Sequence, residues 1–427
     1  MRPAFRELVA ASARIGVLGF GGPAGQIALM HRIFVDEKKW IDERRYLHAL
    51  NYCTILPGPE AQQLATYVGW LLHGVRGGVA AGLLFVLPGA AVVFALSWLY
   101  AAHGDTAFVG ALFYGVKAAV VALVAEAVQR IGKRALKGWA DLAIAVLAFL
   151  ALAVFGAPFP IVVLAAALYG WLRNRGAEPA EPEEEDAAPS ARKAFAAAAL
   201  WGVVWLAPLA LAALLLGPEH MLTRIGALFG TLAVVSFGGA YAVLAFLQQQ
   251  AVVVQGWLTT AQMIDGLGLA ETTPGPLVLV NQFVGFMAGW NAVGGGLVLA
   301  TLGAAMASWQ TFAPSFLFIF AGAPYAEALR RNPKARAALA AVTAAVLGVI
   351  ANLALWFALH VLFADVGRLE TPWGSTMPAP DLASFDPFAA LLAIAAGVAL
   401  IRFHVNVALV VVGCALLGLA RLILAGG

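Results

Sequence analysis

The sequence predicts an all-α polytopic membrane protein: two repeats of opposite topology, each with broken or re-entrant helical hairpins, joined by an extra transmembrane helix. Three observations predict it. Of the 427 residues, 62% are hydrophobic and 11% charged, where a soluble domain carries about 25% charged residues. That much apolar sequence exceeds what a core of this length can hold, so the surplus must face lipid. Several stretches are also long and charge-free enough to cross a bilayer, and the chain resembles itself at a fixed offset.

Helical crossings need about 20 apolar residues. Residues 79–101, 195–216, 295–321 and 337–362 meet that length without interruption, and 106–131 does so despite Lys117 and Glu126. Two pairs of shorter stretches follow, 140–155 with 158–172 and 387–402 with 405–424. Four other apolar segments are broken: at Gly19-Phe20-Gly21-Gly22-Pro23, Pro57-Gly58-Pro59, Ser236-Phe237-Gly238-Gly239 and Pro274-Gly275-Pro276. Gly and Pro break helices, and broken backbone at membrane depth survives only inside protein or beside a watery cavity. Residues 173–193, RNRGAEPAEPEEEDAAPSARK, are polar and rich in Pro and Glu, which predicts a disordered cytoplasmic tether.

Loop charge orients these segments, because cytoplasmic loops collect Lys and Arg. Arg130, Lys133, Arg134 and Lys137 place 130–137 inside, and Arg76 and the five basic residues of 32–45 lie inside as well. Residues 46–73 then enter and leave by the same side, turning at Pro57-Gly58-Pro59. The first arm, 46–56, amounts to about 16 Å of helix, half a bilayer. Residues 5–34 read as a similar hairpin around Gly21-Gly22.

The internal match runs through the breaks. Phe20-Gly21-Gly22 recurs as Phe237-Gly238-Gly239, Trp40 as Trp257, and Pro57-Gly58-Pro59 as Pro274-Gly275-Pro276, each displaced by 217 positions. Beyond an insertion the offset becomes 226, pairing Pro88 with Pro314 and VKAAVVALVAEA (116–127) with VTAAVLGVIANL (342–353). Each half has an even number of crossings, so the extra helix 195–216 turns the second half over. Loop charge agrees: 323–336 is basic, whereas its counterpart 102–106 lies outside. The expected organisation is a first repeat 1–172, an acidic linker 173–194, the connecting helix 195–216 and an inverted repeat 217–427, an arrangement common in secondary transporters.

With these residues in place the sequence resembles the chromate ion transporter family. The resemblance rests on FGGPAGQIALM (20–30), LPGPEAQQLATYVGW (56–70), FVLPGA (85–90), SFGGAYAVL (236–244) and ETTPGPLVLVNQFVGF (271–286). It covers nearly the whole chain in the two-domain form of the family. It implies a multi-pass protein of the bacterial inner membrane that exports chromate by proton-driven antiport and confers chromate resistance, with sulfate as the look-alike substrate. Sulfate uptake and a passive anion channel stand as alternatives.

A tetrahedral dianion needs hydrogen-bond donors in a partly desolvated site, and helix starts supply them. The candidate anion-binding residues are therefore Gly21, Gly22, Pro57, Gly58, Pro59 and Gln62 in the first half. In the second they are Gly238, Gly239, Thr272, Thr273, Pro274, Gly275, Pro276 and Asn281, with Gln63 and Gln282 as neutral neighbours. Packing kinks are the plain alternative for any one break. Lys117, central in its span, either lends charge to the anion path or forms an ion pair with a carboxylate such as Glu60. Glu60 and Glu271 flank the two Pro-Gly-Pro turns and are candidate proton carriers, although Glu60 also suits a first-turn position on a helix dipole. Arg14, in the first half-helix, is a weaker candidate with snorkelling to the interface as its plain alternative, and Glu126 reads as interfacial.

No cofactor or metal is expected: the seven histidines lack ligand spacing, and Cys53 and Cys414 read as separate buried thiols. Gly-x-Ser-x-Gly, His-Glu-x-x-His and Walker A patterns are absent, which argues against an intramembrane enzyme and against ATP hydrolysis. The net charge of +3 gives no footprint for nucleic acid. The expected partners are a small oxyanion, protons and lipid, with a homodimer as the common assembly.

Overall fold

The computed structural model describes residues 3–19, 22–54, 56–104, 106–173, 191–236 and 240–424. Among them are sixteen α-helices and one two-stranded sheet. The first half holds α1 (Phe5–Leu18), α2 (Gly22–His31), α3 (Glu43–Cys53), α4 (Glu60–His103), α5 (Ala107–Ala135), α6 (Trp139–Ala153) and α7 (Phe159–Arg173). Then come α8 (Ala191–Leu216), α9 (Met221–Val235), α10 (Ala240–Gln248), α11 (Thr260–Thr272), α12 (Val280–Asn291), α13 (Leu297–Arg331) and α14 (Pro333–Leu362). A hairpin of β1 (Val366–Glu370) and β2 (Thr376–Pro380) precedes α15 (Pro387–Ile401) and α16 (Val407–Leu424). Six of the helices are long and apolar enough to cross a membrane, matching the stretches read as spans.

Local chemistry explains the breaks. The 44-residue stretch α4 is two helices folded back on each other, parted where His73 and Gly74 leave helical geometry and Gly74 takes φ +62°; across the fold Gly69 packs on Gly77, and Gly82 on Thr66. Helix α3 starts where the Asp42 carboxylate accepts from the Arg45 N–H, and α11 starts where Thr259 and Gln262 cap each other. The 217-position displacement reappears in the backbone. A π-helical turn at Arg32–Glu37 recurs at Gln249–Val254. Trp40 donates its N–H to the Phe34 carbonyl as Trp257 does to that of Ala251.

The two halves are not separately packed bodies. Helices α6 and α7 pack on α14, while α15 and α16 pack on α5, and α5 and α14 lie against each other. Each half thus lends its terminal helix pair to the other. Small residues allow it: Gly115 on α5 meets the Cys414 backbone, and Gly348 on α14 meets that of Ala145.

Two sequence expectations shift. Helix α8 starts at Ala191, so residues 191–194 are helical where a tether was expected. The β1–β2 hairpin, paired from Val366 opposite Pro380 to Glu370 opposite Thr376, was not expected in an all-α chain. Residues 174–190 of the tether, with Phe20, Gly21 and 237–239, lie outside the described residues.

Candidate functional site

The broken segments meet crosswise. The N–H of Gly58, in the first Pro-Gly-Pro turn, donates to the Ser236 carbonyl at the second half's break, at 3.2 Å. The N–H of Gly275, in the second turn, donates to the Gly19 carbonyl at the first half's break, at 3.0 Å. The two bonds are related by the repeat offset, so each half's turn is seated on the other half's broken hairpin. Gly58 and Gly275 stand at φ +108° and +97°, a region in which any side chain is strained. Buried Gln26 ties one crossing further, its Nε2 donating to Gly19 O at 3.1 Å and to Gly275 O at 2.5 Å.

The hairpin arms return to their starting end. Asn291, at the end of α12, donates to the Trp257 carbonyl at 3.0 Å and to Gln262 Oε1 at 3.3 Å, both at the start of α11. Arg14 of α1 pairs with Glu37 beyond α2 at 3.1 Å, an ion pair rather than a snorkelling residue.

At the crossings the side chains have a definite polarity. Gln62 Nε2 donates to Phe312 O at 3.3 Å, Gln63 Nε2 to Pro57 O at 2.7 Å, and Asn281 Nδ2 to Thr311 Oγ1 at 3.0 Å. The carbonyl oxygens of these three amides are buried and lack a hydrogen-bond partner among the described residues. Thr272 and Thr273 spend their hydroxyl protons on carbonyls of α11. The donors expected for an oxyanion are therefore engaged within the protein here, and Gln62 and Asn281 present acceptors. Gln282 is satisfied at both ends, by Ala90 O and by Ser308. Gly22 opens α2 at φ +69° with free space where a side chain would project. Glu60 is half-buried at the first position of α4, and Glu271 is buried in the last turn of α11. Glu126 pairs with Arg130 one turn on, at 3.3 Å.

Lys117 does not meet Glu60. Its Nζ lies 3.4 Å from Oδ1 of Asp265 on α11, whose Oδ2 accepts from the Tyr100 hydroxyl at 2.8 Å. Asp265 is only 4% exposed, and it escaped the sequence reading because its repeat counterpart is His48, an exposed residue on α3. It lies about 10 Å along α11 from Thr272.

Lys117 also borders a cavity of about 880 Å³ between α5, α10, α11, α14 and the β1–β2 hairpin. Among the described residues the ionisable groups on its lining are Lys117, His360 and Arg368, with Gln248, Gln249 and Asn352 among the neutral polar ones, and none is a carboxylate. No group of three His, Cys, Asp or Glu that could hold a metal occurs among the described residues, and Cys53 and Cys414 are buried free thiols.

Long apolar helices around broken, internally paired backbone define a polytopic membrane protein. The chain belongs to the chromate transporter family, whose sequence profile matches residues 6–171 and 223–419. It is similar to the chromate transport protein of Pseudomonas aeruginosa, 36% identical over 356 residues, which span 81% of this chain and 79% of that one. It is also similar to the chromate transport protein of Cupriavidus metallidurans, 32% identical over 346 residues, or 81% and 80% of the two chains. No solved structure matches the chain.

Proposed function

We propose that this protein exports chromate across the bacterial inner membrane, driven by the proton motive force, and so confers chromate resistance. The observation that carries the reading is the 880 Å³ cavity whose charged lining, among the described residues, is basic: Lys117 and Arg368. A concave site of one sign concentrates counter-ions. Family membership and the names of the relatives supply the anion.

In this reading the two halves are inverted repeats, bounded as the sequence divides them, and the four broken segments are re-entrant arms whose crossing lies near the bilayer midplane. Gly21, Gly22, Gly238 and Gly239 with the two Pro-Gly-Pro turns form the inner anion station. There, rearrangement frees the amide donors of Gln62 and Asn281 from the Phe312 carbonyl and the Thr311 hydroxyl they now bind. Glu60 and Glu271, at the edges of the turns, carry protons.

The test is flux of radiolabelled chromate and sulfate in proteoliposomes under an imposed proton motive force. Chromate movement that collapses with the gradient is the expected result. Flux of neither anion, or equal flux without the gradient, would overturn the reading; sulfate alone would reassign the substrate. In cells, Lys117→Met with normal expression should abolish chromate resistance.

A further inference from the structure

Asp265 is a buried carboxylate that the family relationship and the sequence motifs leave without a role. It sits directly behind the one lysine that reaches from a membrane helix into the cavity, and its own side chain is 6% exposed against 26% for Lys117. The pair is loose: at 3.4 Å the ammonium neutralises the carboxylate, yet Oδ1 receives no hydrogen bond while Oδ2 is held by Tyr100. Asp265 thus has one satisfied oxygen and one open one. Lys117 and Tyr100 are the charged and titratable groups facing it from α5 and α4. Helix α12 carries no charged residue, and the single charge of α16, Arg421, is held by Asp386 at 3.2 Å. On α11 itself the other acid is Glu271, more than a turn away.

We propose that Lys117 and Asp265 form one coupled site at the inner end of the cavity, where an oxyanion takes the ammonium of Lys117 and Oδ1 of Asp265 takes a proton. This deepens the transport reading and rests on it. A dianion drawn to Lys117 arrives beside a carboxylate that has only that same ammonium to balance it. Two anionic groups sharing one cation repel, and the cheapest relief is protonation of the carboxylate. Oδ1 is buried behind Lys117, so the proton passes from cavity water to Oδ1 once the ammonium turns toward the anion, while Tyr100 keeps its bond to Oδ2. When the anion leaves, Lys117 returns to Asp265 and the proton is released. Proton and anion therefore bind together rather than in exchange. Efflux would draw on the electrical part of the proton motive force, with the moving complex one charge less negative than the dianion alone.

Binding of labelled chromate and of labelled sulfate to the purified full-length protein, with proton uptake followed by a pH dye in weak buffer, tests this. Wild type should take up as much as about one proton per anion and lose affinity as pH rises. Asp265→Asn, which keeps the shape and the Tyr100 contact, should bind with little pH dependence and no uptake. Lys117→Met should lose affinity by about tenfold or more. The double variant Lys117→Met/Asp265→Asn removes the ion pair without leaving a lone buried charge, so it should fold yet still fail to bind; recovery of binding would make the pair merely structural. Unchanged proton uptake in Asp265→Asn, unchanged binding in Lys117→Met, or no binding of either anion by wild type would each sink the inference. Proteoliposome flux is read separately, so chromate transport that persists without this linkage leaves the transport reading standing. Coupled binding of sulfate alone would do the reverse.

Discussion

Gly89 has no room for a side chain: a Cβ there would lie 2.2 Å from the Pro274 carbonyl oxygen, against the second Pro-Gly-Pro turn. Gly89→Ala should therefore push that turn off its seat, at about 1–3 kcal/mol for overpacking. A fall in the melting temperature of the detergent-purified protein measures it, with Gly202→Ala, in open space on α8, as the unaffected control. Gln26→Leu should cost about 1–3 kcal/mol by removing the amide that donates to the Gly275 carbonyl and reinforces the Gly275–Gly19 bond, read in the same melt. At this scale the sequence was legible where chemistry clashed with its surroundings. Lys117 stood out as a charge in an apolar span, and the turn glycines as breaks. Asp265 did not, because α11 is too mixed in composition for one acid to look anomalous and its partner is remote in sequence. Gln26 was quoted only as part of a motif; nothing local announces that its amide spans both halves.

The arms of the broken hairpins show how far element-level reading reaches. Their positions follow from Gly and Pro, and the π-helical turns repeat at Arg32–Glu37 and Gln249–Val254. Which turn docks on which break depended on long-range backbone pairing that no periodicity encodes. The β1–β2 hairpin escaped for a related reason: Gly367, Pro378 and Pro380 interrupt any alternation of apolar and polar residues. Between α2 and α3, His31 stands 2.5 Å from Glu43 and 3.3 Å from Asp36. Its hydrogen bond to Glu43 raises the imidazole pKa, burial opposes this weakly, and the charges of Glu43 and Asp36 add to the rise. A raised folded-state pKa gives stability that is fully present below the unfolded value, about 6.5, and is lost as pH rises through the folded value. The melting temperature should therefore fall as pH rises above about 6.5, and His31→Gln should flatten that part of the profile. An unchanged profile in the variant would assign the pH response elsewhere.

Across the whole molecule the crossed contacts and the exchanged helix pairs follow one relation, in which whatever one half gives, the other returns. That relation makes topology testable at equivalent places. The bend of α4 at His73–Gly74 and the link from α12 to α13 at 292–296 occupy corresponding positions in the two halves. If the halves are inverted, these bends emerge on opposite faces of the membrane. Arg76 is exposed beside the first bend, and Val293 is fully exposed in the second. The native thiols Cys53 and Cys414 are buried, so introduced cysteines dominate labelling by a membrane-impermeant maleimide. Arg76→Cys should react only from the cytoplasmic side, together with Lys137→Cys and Arg336→Cys in the basic loops. Val293→Cys should react only from the outer side, together with Leu382→Cys beyond the hairpin that Trp373 and Ser375 anchor to the Val154 carbonyl. Labelling of Arg76→Cys and Val293→Cys from the same side would make the halves parallel. The crossed turns would then need another explanation, because two parallel repeats could not present both Pro-Gly-Pro hairpins to a common midplane from opposite faces.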